Sequence, residues 1–310
     1  MKVAAFDVGT NTIRCLVARS SGDVLEPLKI FRRITRLGKG LRKSRQLSAG
    51  PVDMTLRALR DFSEELESRN VARAWAVGTS ALRDAPARVE ILEKAEEALG
   101  FPLEVISGEE EARLTALGVQ GGIGRIEDGM VVDIGGGSTE VVRIISGAVR
   151  WWKSMPVGVV HLTEACLRSD PPLLEEIRRM RKKIEQFIGQ LPAGGKTLAA
   201  TAGTPTTLAA LDLGIDEYDP TLVNGHVLSL DRVNELTDTL IRMKIVERLG
   251  LPGMEKGRED LIPAGSVMIG QFMKHWGLLE MIVSDWGLLE GVAMEAATGR
   301  GYTLDTGLKI

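Results

Sequence analysis

Aromatic residues are scarce in this 310-residue chain, at 4%, which argues against the stacking platforms that single-stranded nucleic-acid binders use. Cysteine occurs only at Cys15 and Cys166, too few and too scattered for a disulfide framework or a zinc site. Cys15 falls in an apolar stretch and reads as core. No run reaches the ~20 apolar residues that a bilayer span needs, and the opening Met1-Lys2-Val3-Ala4-Ala5-Phe6-Asp7 meets an acid too early for a signal peptide. Neither sign of charge dominates: the net charge is −3, which gives no general attraction to nucleic acid or acidic membranes. These absences predict a cytoplasmic, reduced protein with neither DNA nor membrane among its partners, in which a polyanion needs a local basic patch. What is present is 44% hydrophobic and 26% charged residues, the profile of a globular protein. The length suits two domains, each with its own core.

The chain is organised around Val131-Val132-Asp133-Ile134-Gly135-Gly136-Gly137-Ser138-Thr139-Glu140. It reads as a short apolar strand ending in an acid, a turn of glycines closed by hydroxyls, and a second strand opening on another acid. Consecutive glycines leave backbone N–H groups uncovered, so a phosphate can approach the main chain. Asp133 and Glu140 then flank the turn on paired strands, which suits a hard divalent cation shared with substrate phosphates. A plain Gly-rich hairpin with Asp133 bonding its own turn explains this stretch alone equally well.

A second copy shifts that balance. Phe6-Asp7-Val8-Gly9-Thr10-Asn11-Thr12 repeats the order of strand, acid, Gly turn and hydroxyls, and each hairpin is followed by Ser-Gly, at Ser21-Gly22 and Ser146-Gly147. Two Asp-led meanders predict a duplicated pair of domains with a phosphate cleft between the halves. A third turn, Ala202-Gly203-Thr204-Pro205-Thr206-Thr207, follows a strand-like stretch and precedes a helical one.

These turns, together with Gly78-Thr79-Ser80-Ala81-Leu82-Arg83, Ser107-Gly108-Glu109-Glu110-Glu111-Ala112-Arg113-Leu114, Asn224-Gly225-His226 and Ser284–Gly291, resemble the exopolyphosphatase / guanosine pentaphosphate phosphatase family. That family belongs to the actin–sugar kinase–heat-shock ATPase superfamily. The resemblance implies an α/β fold: two duplicated ribonuclease H-like (actin-like) domains, mixed sheets flanked by helices, and a cleft between them. Boundaries are expected at 1–122 and 123–295, with 296–310 packing back onto the first domain. The glycines between Leu117 and Asp128 read as an inter-domain crossing or hinge. The chain stops near residue 310, which resembles the short, two-domain form of the family.

Ser107 with Glu110 fits a capping box, Glu109 complements the helix dipole, and spacing alone leaves Glu111 ordinary. The resemblance assigns Glu111, directly before Ala-Arg, as the catalytic base. An Arg after a strand end often only salt-bridges; in the family context Arg83 is expected as a phosphate clamp. The basic stretch Lys29, Arg32, Arg33, Arg36, Lys39, Arg42, Lys43 and Arg45 has no acid between Glu26 and Asp53. It is either a solvated face or a landing strip for a polyphosphate chain. The basic run at 178–183 reads as a solvated helix face, and His226 as a structural turn histidine.

The resemblance therefore implies phosphoanhydride hydrolysis. Glu111 activates water; Asp133 and Glu140, with Asp7, hold Mg²⁺ or Mn²⁺. Gly9, Thr10, Asn11, Thr12, Gly135, Gly136, Gly137, Ser138, Gly203 and Thr204 cradle phosphate, with Arg83 adding charge, and Arg32, Arg33, Arg36, Lys39, Arg42 and Lys43 line the polymer groove. The expected substrate is inorganic polyphosphate or guanosine pentaphosphate, or both, and a homodimer is an open expectation. An ATP-dependent kinase or regulator and a non-catalytic polyphosphate or alarmone sensor are rival readings. Release of phosphate without ATP-dependent phosphorylation separates the hydrolase from both.

Overall fold

The structure, a computed structural model, describes residues 1–22, 24–86 and 88–304, without the side chains of Arg42, Lys43 and Glu67. It divides into two compact units, Met1–Gly118 with Leu288–Ile310, and Val119–Gly287.

The first unit opens with the meander β1 (Lys2–Val8), β2 (Thr12–Ser21) and β3 (Val24–Ile34), then α1 (Leu41–Ser44) and α2 (Ala49–Ser68). β4 (Arg73–Gly78), α3 (Ser80–Asp84), α4 (Arg88–Leu99), β5 (Leu103–Val105) and α5 (Gly108–Ile123) follow. The sheet order is β5-β4-β1-β2-β3, parallel across the first three strands and antiparallel across the rest. A parallel pairing needs a helical crossover, and α2 and α4 supply it. α2 forms because Leu59, Phe62 and Leu66 fall at three- and four-residue spacing and are all buried.

The second unit repeats this with β6 (Asp128–Ile134), β7 (Thr139–Ile145) and β8 (Ala148–Met155), followed by α6 (Val159–Cys166), α7 (Leu174–Ile188), β9 (Thr197–Thr201) and α8 (Gly203–Leu213). Then come α9 (Pro220–Val223), β10 (Val227–Ser229), α10 (Leu230–Arg242), α11 (Ile245–Leu249), α12 (Ile262–Trp276) and β11 (Glu280–Val283). The order β11-β9-β6-β7-β8 matches the first sheet strand for strand, with β10 added antiparallel beyond β11. α12 is buried from Ile262 to Ile269 on every side, as expected of a helix enclosed by core. α7 buries only Ile177, Met180, Ile184 and Ile188 with Glu176, leaving its cations on the outer face.

The chain then returns to the first unit as α13 (Leu288–Ala297) and β12 (Tyr302–Thr303), the latter antiparallel to β4. α13 packs on β1, β2 and β4. Ala4, Phe6 and Val8 point instead into the core shared with α2 and α4. With both faces covered, β1 is buried from Val3 to Val8, so its sequence reads as a continuous apolar run rather than an alternating one.

The duplicated architecture matches the fold class expected from sequence. The compact units, Met1–Gly118 with Leu288–Ile310 and Val119–Gly287, stand beside the expected 1–122 and 123–295. At the Gly-rich crossing, α5 runs unbroken through Gly118, Gly121 and Gly122. A glycine inside a helix costs about 0.5–1 kcal/mol, and packing overrides it here. A Cβ on Gly122 would stand 2.7 Å from the Trp286 side chain, and Asn224 Nδ2 donates to the Gly122 carbonyl at 2.9 Å. Residues 305–310 of the expected returning segment lie outside the described residues. Among the described residues no helix is long and apolar enough to cross a membrane.

Phe272 anchors the second core, buried and stacked on Trp276 at 5.3 Å. Phe272→Ala is expected to destabilise this unit by about 3–5 kcal/mol, read as a fall in the urea midpoint at unchanged slope.

Candidate active site

In each unit the functional turns lie at the carboxyl ends of the parallel strands, where open α/β sheets place their ligands. In the first unit, the turn after β1 is closed by Gly9 N–H donating to Thr12 O at 3.0 Å. Its carbonyls are occupied from behind: Asn11 O accepts from Thr35 and Arg36 N–H at 3.0 and 2.9 Å, and Thr10 O from Gly38 N–H at 2.8 Å. Gly38 is required there, because a Cβ would overlap Thr10 Cγ2. The N–H groups of Thr10 and Asn11 donate to no acceptor among the described residues. Beside them, Asn11 Oδ1 and Thr35 Oγ1 are buried with no hydrogen-bond partner among the described residues, an arrangement that invites a polar ligand or water.

β4 delivers the next turn alongside, with Thr79 N–H donating to Val8 O at 3.2 Å and Ile106 N–H to Gly78 O at 3.1 Å. Arg83, in α3, directs Nη1 to Glu111 Oε2 at 2.7 Å and to the Ile106 carbonyl at 3.0 Å. Its Nε and Nη2 donate to no acceptor among the described residues. Glu111, in the first turn of α5, is buried, with 8% of its side chain exposed. So Gly9, Thr10, Asn11, Thr12, Arg83 and Glu111 share one end of one sheet. Arg83 was expected to clamp phosphate; the structure gives it first to Glu111, with half of its fork left over.

Glu110 differs from expectation. Its backbone N–H does donate to Ser107 Oγ at 3.1 Å, but its carboxylate does not complete the capping box. It accepts from Arg113 and Arg300 instead.

The second unit builds its turn by the same means. Gly135 O and Gly136 O accept from Val159 and Val160 N–H, at 3.0 and 2.9 Å, in the first turn of α6. Gly158 leads into that helix, and a Cβ on it would stand 2.5 Å from Gly135 O. The N–H groups of Gly136, Gly137 and Ser138 donate to no acceptor among the described residues. Even the tight spot repeats: a Cβ would stand 3.0 Å from Thr12 O on Gly9 and 3.1 Å from Ser138 O on Gly135.

The hairpins differ in charge. Opposite Asp7 stands Arg14, whose Nη2 and Nε reach Asp7 Oδ2 at 2.7 and 3.1 Å. Opposite Asp133, in the same register, stands Glu140. Both carboxylates of the second pair are buried, and Glu140 Oε1 accepts from Ser154 Oγ at 2.6 Å. Two neighbouring carboxylates fit a hard cation that takes its other ligands from water and phosphate. Asp7 is already matched by a guanidinium, and among the described residues no three His, Cys, Asp or Glu side chains gather into a metal cluster.

Gly203 opens α8, and Ala202 before it holds a left-handed φ of 75°, a strained conformation of the kind that functional turns retain. Thr204 is packed on α12, where a Cβ on Gly265 would overlap its Oγ1. The guanidinium of Arg258 lies directly on Gly203, leaving no room for a Cβ, with its Nε held by Glu255 Oε2 at 2.5 Å. Sequence reasoning missed Arg258, because Gly257-Arg258-Glu259-Asp260 reads as ordinary polar loop. It also missed Arg14, which counting the hairpin register outward from the turn would have found.

Of the basic stretch, Arg36 and Lys39 lie on the segment that supports the first turn. Arg32 and Arg33 lie on the exposed edge strand β3, with Arg33 Nη1 on Asp61 at 2.7 Å and its guanidinium over Phe62. The side chains of Arg42 and Lys43 are outside the described residues. His226 is structural: Nε2 pairs with Asp212 Oδ2 at 2.7 Å.

Two units of one strand order, each ending in a turn that presents main-chain N–H groups, define the actin-like class. Within that class the chain matches the Ppx/GppA phosphatase family over residues 16–298, and it belongs to that family. It is 33% identical to exopolyphosphatase 2 of Mycobacterium tuberculosis, over 96% of this chain and 98% of that protein. The structure of the Aquifex aeolicus family member matches with a TM-score of 0.85 at 32% identity, covering 98% of this chain and 99% of that one. An exopolyphosphatase structure from Cytophaga hutchinsonii matches with the same TM-score, 0.85, at 26% identity, over 94% and 96%.

Arg113 and Arg300 hold the Glu110 carboxyl below the usual range, the hydrogen bond from Arg113 being the main cause, against some desolvation. A depressed folded pKa adds stability that is present above the unfolded value and lost as pH falls through the folded one. Wild type is therefore expected to exceed Glu110→Gln in Tm at neutral pH, with the gap closing below about pH 4, as followed by thermal melts across pH.

Proposed function

We propose that this chain is an exopolyphosphatase, hydrolysing the terminal phosphoanhydride bond of inorganic polyphosphate to release orthophosphate. The observation that carries the reading is the buried Glu111 held at 2.7 Å by Arg83, at the sheet end where the Thr10 and Asn11 N–H groups have no acceptor among the described residues. The matching family and the named exopolyphosphatases supply the substrate class.

Phosphoryl transfer needs an aligned water, neutralised charge on the transferred group and a stabilised leaving phosphate, with little covalent help from the protein. Glu111 accepts the proton as the water oxygen bonds to the terminal phosphorus. The bridging P–O bond breaks, and the shortened polymer leaves with the electron pair. Arg83 holds the Glu111 carboxylate with one nitrogen and offers Nε and Nη2 to phosphoryl oxygens. The N–H groups of Thr10–Asn11 and Gly136–Ser138 bind phosphate oxygens without reorganising, which is what makes preformed donors effective. Gly203 and Thr204, with Arg258 against them, add the donors of a helix N-terminus. Asp133 and Glu140 would hold Mg²⁺ or Mn²⁺; Asp7, whose Oδ2 accepts from Arg14, holds the shape of its own turn. Such a cation would supply positive charge against the phosphoryl oxygens. Arg36, Lys39 and the cations of β3 attract the polymer.

Guanosine pentaphosphate is the alternative substrate, because the sequence motifs resemble a family that includes guanosine pentaphosphate phosphatases. Phosphate release from each, with ATP as a control, separates the two.

Glu111→Gln is expected to lower kcat by about 10²–10⁴-fold while polyphosphate binding is retained; near-normal turnover would refute the assignment. Glu140→Gln is expected to raise the Mg²⁺ concentration for half-maximal rate by about tenfold or more, read from metal titrations of phosphate release. An unchanged titration would remove Glu140 from the metal site.

A further inference from the structure

The chemistry above gives no role to the end of the Ser107–Arg113 motif or to the close of the Ser284–Gly291 motif. Inside the first unit these two stretches meet. α13 passes so close to α5 that a Cβ on Gly291 would overlap the carbonyl oxygen of Leu114. Next to Leu114, Arg113 forks onto Glu110, Nε to Oε2 at 2.9 Å and Nη2 to Oε1 at 3.2 Å. Its remaining nitrogen, Nη1, reaches Glu295 Oε1 on α13 at 2.8 Å. Arg300, just past α13, adds Nη1 to Glu110 Oε1 at 2.9 Å and lies over the Trp75 ring at 4.6 Å. Trp75 is a buried residue of β4, the strand that leads into α3 and Arg83.

The first turn of α5 is thus tied to α13, and α13 to the strand that delivers Arg83. Glu111 is the next residue after Glu110 and can move only with that turn. An isolated exposed ion pair contributes little. A forked arginine shared between two carboxylates, beside a helix contact too close for any side chain, fixes position as well as energy. In-line attack tolerates little error, since a displacement of about 1 Å can cost roughly 10²-fold in rate.

We propose that Arg113, acting with Glu295 and Gly291, is a positioning device for Glu111: docking α13 sets where the base stands relative to Arg83. This rests on the reading of Glu111 as the base. Arg113 touches no reacting atom, so it acts through α5.

The test compares Arg113→Met, Arg113→Lys, Glu295→Gln and Gly291→Ala with wild type and Glu111→Gln, using polyphosphate of defined length and thermal melts of each protein. Arg113→Met is expected to lose about 10- to 100-fold in kcat with KM within about twofold, well below its melting temperature. Arg113→Lys, which keeps the charge and loses the fork, should recover part of that loss, and Glu295→Gln should show a smaller fall of the same kind. Gly291→Ala, where it folds, should show the same split of kcat from KM. A network that only glues helices together would lower Tm and leave kcat intact, and full kcat in Arg113→Met overturns the proposal. If Glu111→Gln is inactive while Arg113→Met is fully active, only the positioning device fails. If Glu111→Gln is active, the base assignment fails and the device falls with it.

Discussion

A main-chain anion site must offer N–H groups to its ligand, so its carbonyl oxygens have to be satisfied from behind. Both turns proposed to bind phosphate meet this requirement. Behind the first turn the donors are Thr35, Arg36 and Gly38, on the segment following the third strand; behind the second they are Val159 and Val160, at the start of a helix. The supporting segment has to approach the turn closely, which is why Gly38 and Gly158 are glycines with no space for a Cβ. The same pressure keeps the meander intact in both copies, because the third strand has to deliver its successor to the back of the first turn.

Duplication preserved this geometry and let the charges diverge. Asp7 and Asp133 occupy equivalent strand ends, and the residue opposite each is set by hairpin register alone. In one copy it is Arg14 and in the other Glu140. The first hairpin is internally neutralised, which suits it to hold its shape and bind phosphate through the main chain. The second sets two buried carboxylates side by side, the pair proposed to hold a divalent cation.

The Asp-led turns were legible because their chemistry is local: an acid, a glycine where a side chain cannot fit, and a hydroxyl a few residues on. Pairing Asp133 with Glu140 needed only a count outward from the turn. The helices followed from stripes such as Leu59, Phe62 and Leu66. What stayed hidden depends on contacts distant in sequence. Nothing near Arg83 announces Glu111 as its partner, and nothing near Glu110 announces Arg300. Arg258 reaches Gly203 from a loop more than fifty residues downstream. The Ser-x-x-Glu spacing at Ser107 suggested a full capping box, yet only the Ser half formed. A carboxylate within reach of two guanidiniums gains more there than at a single backbone N–H.

The run Gly118, Gly121, Gly122 and Gly124 shows how a correct local rule can give the wrong local structure. Read alone, these residues break helices, and a hinge is the natural expectation. In the structure Gly118, Gly121 and Gly122 lie within the helix and Gly124 just past its end with a φ of 89°. Gly122 lies under Trp286, whose carbonyl accepts from Thr201 Oγ1 at 2.9 Å. Asn224 holds the end of the helix through the Gly122 carbonyl, and its Oδ1 accepts from Asp285 N–H at 3.0 Å. The Asn224-Gly225-His226 and Ser284–Gly291 motifs therefore meet at the Gly122 carbonyl and its Cα, inside the second unit. Glycine is used at 122 for close approach.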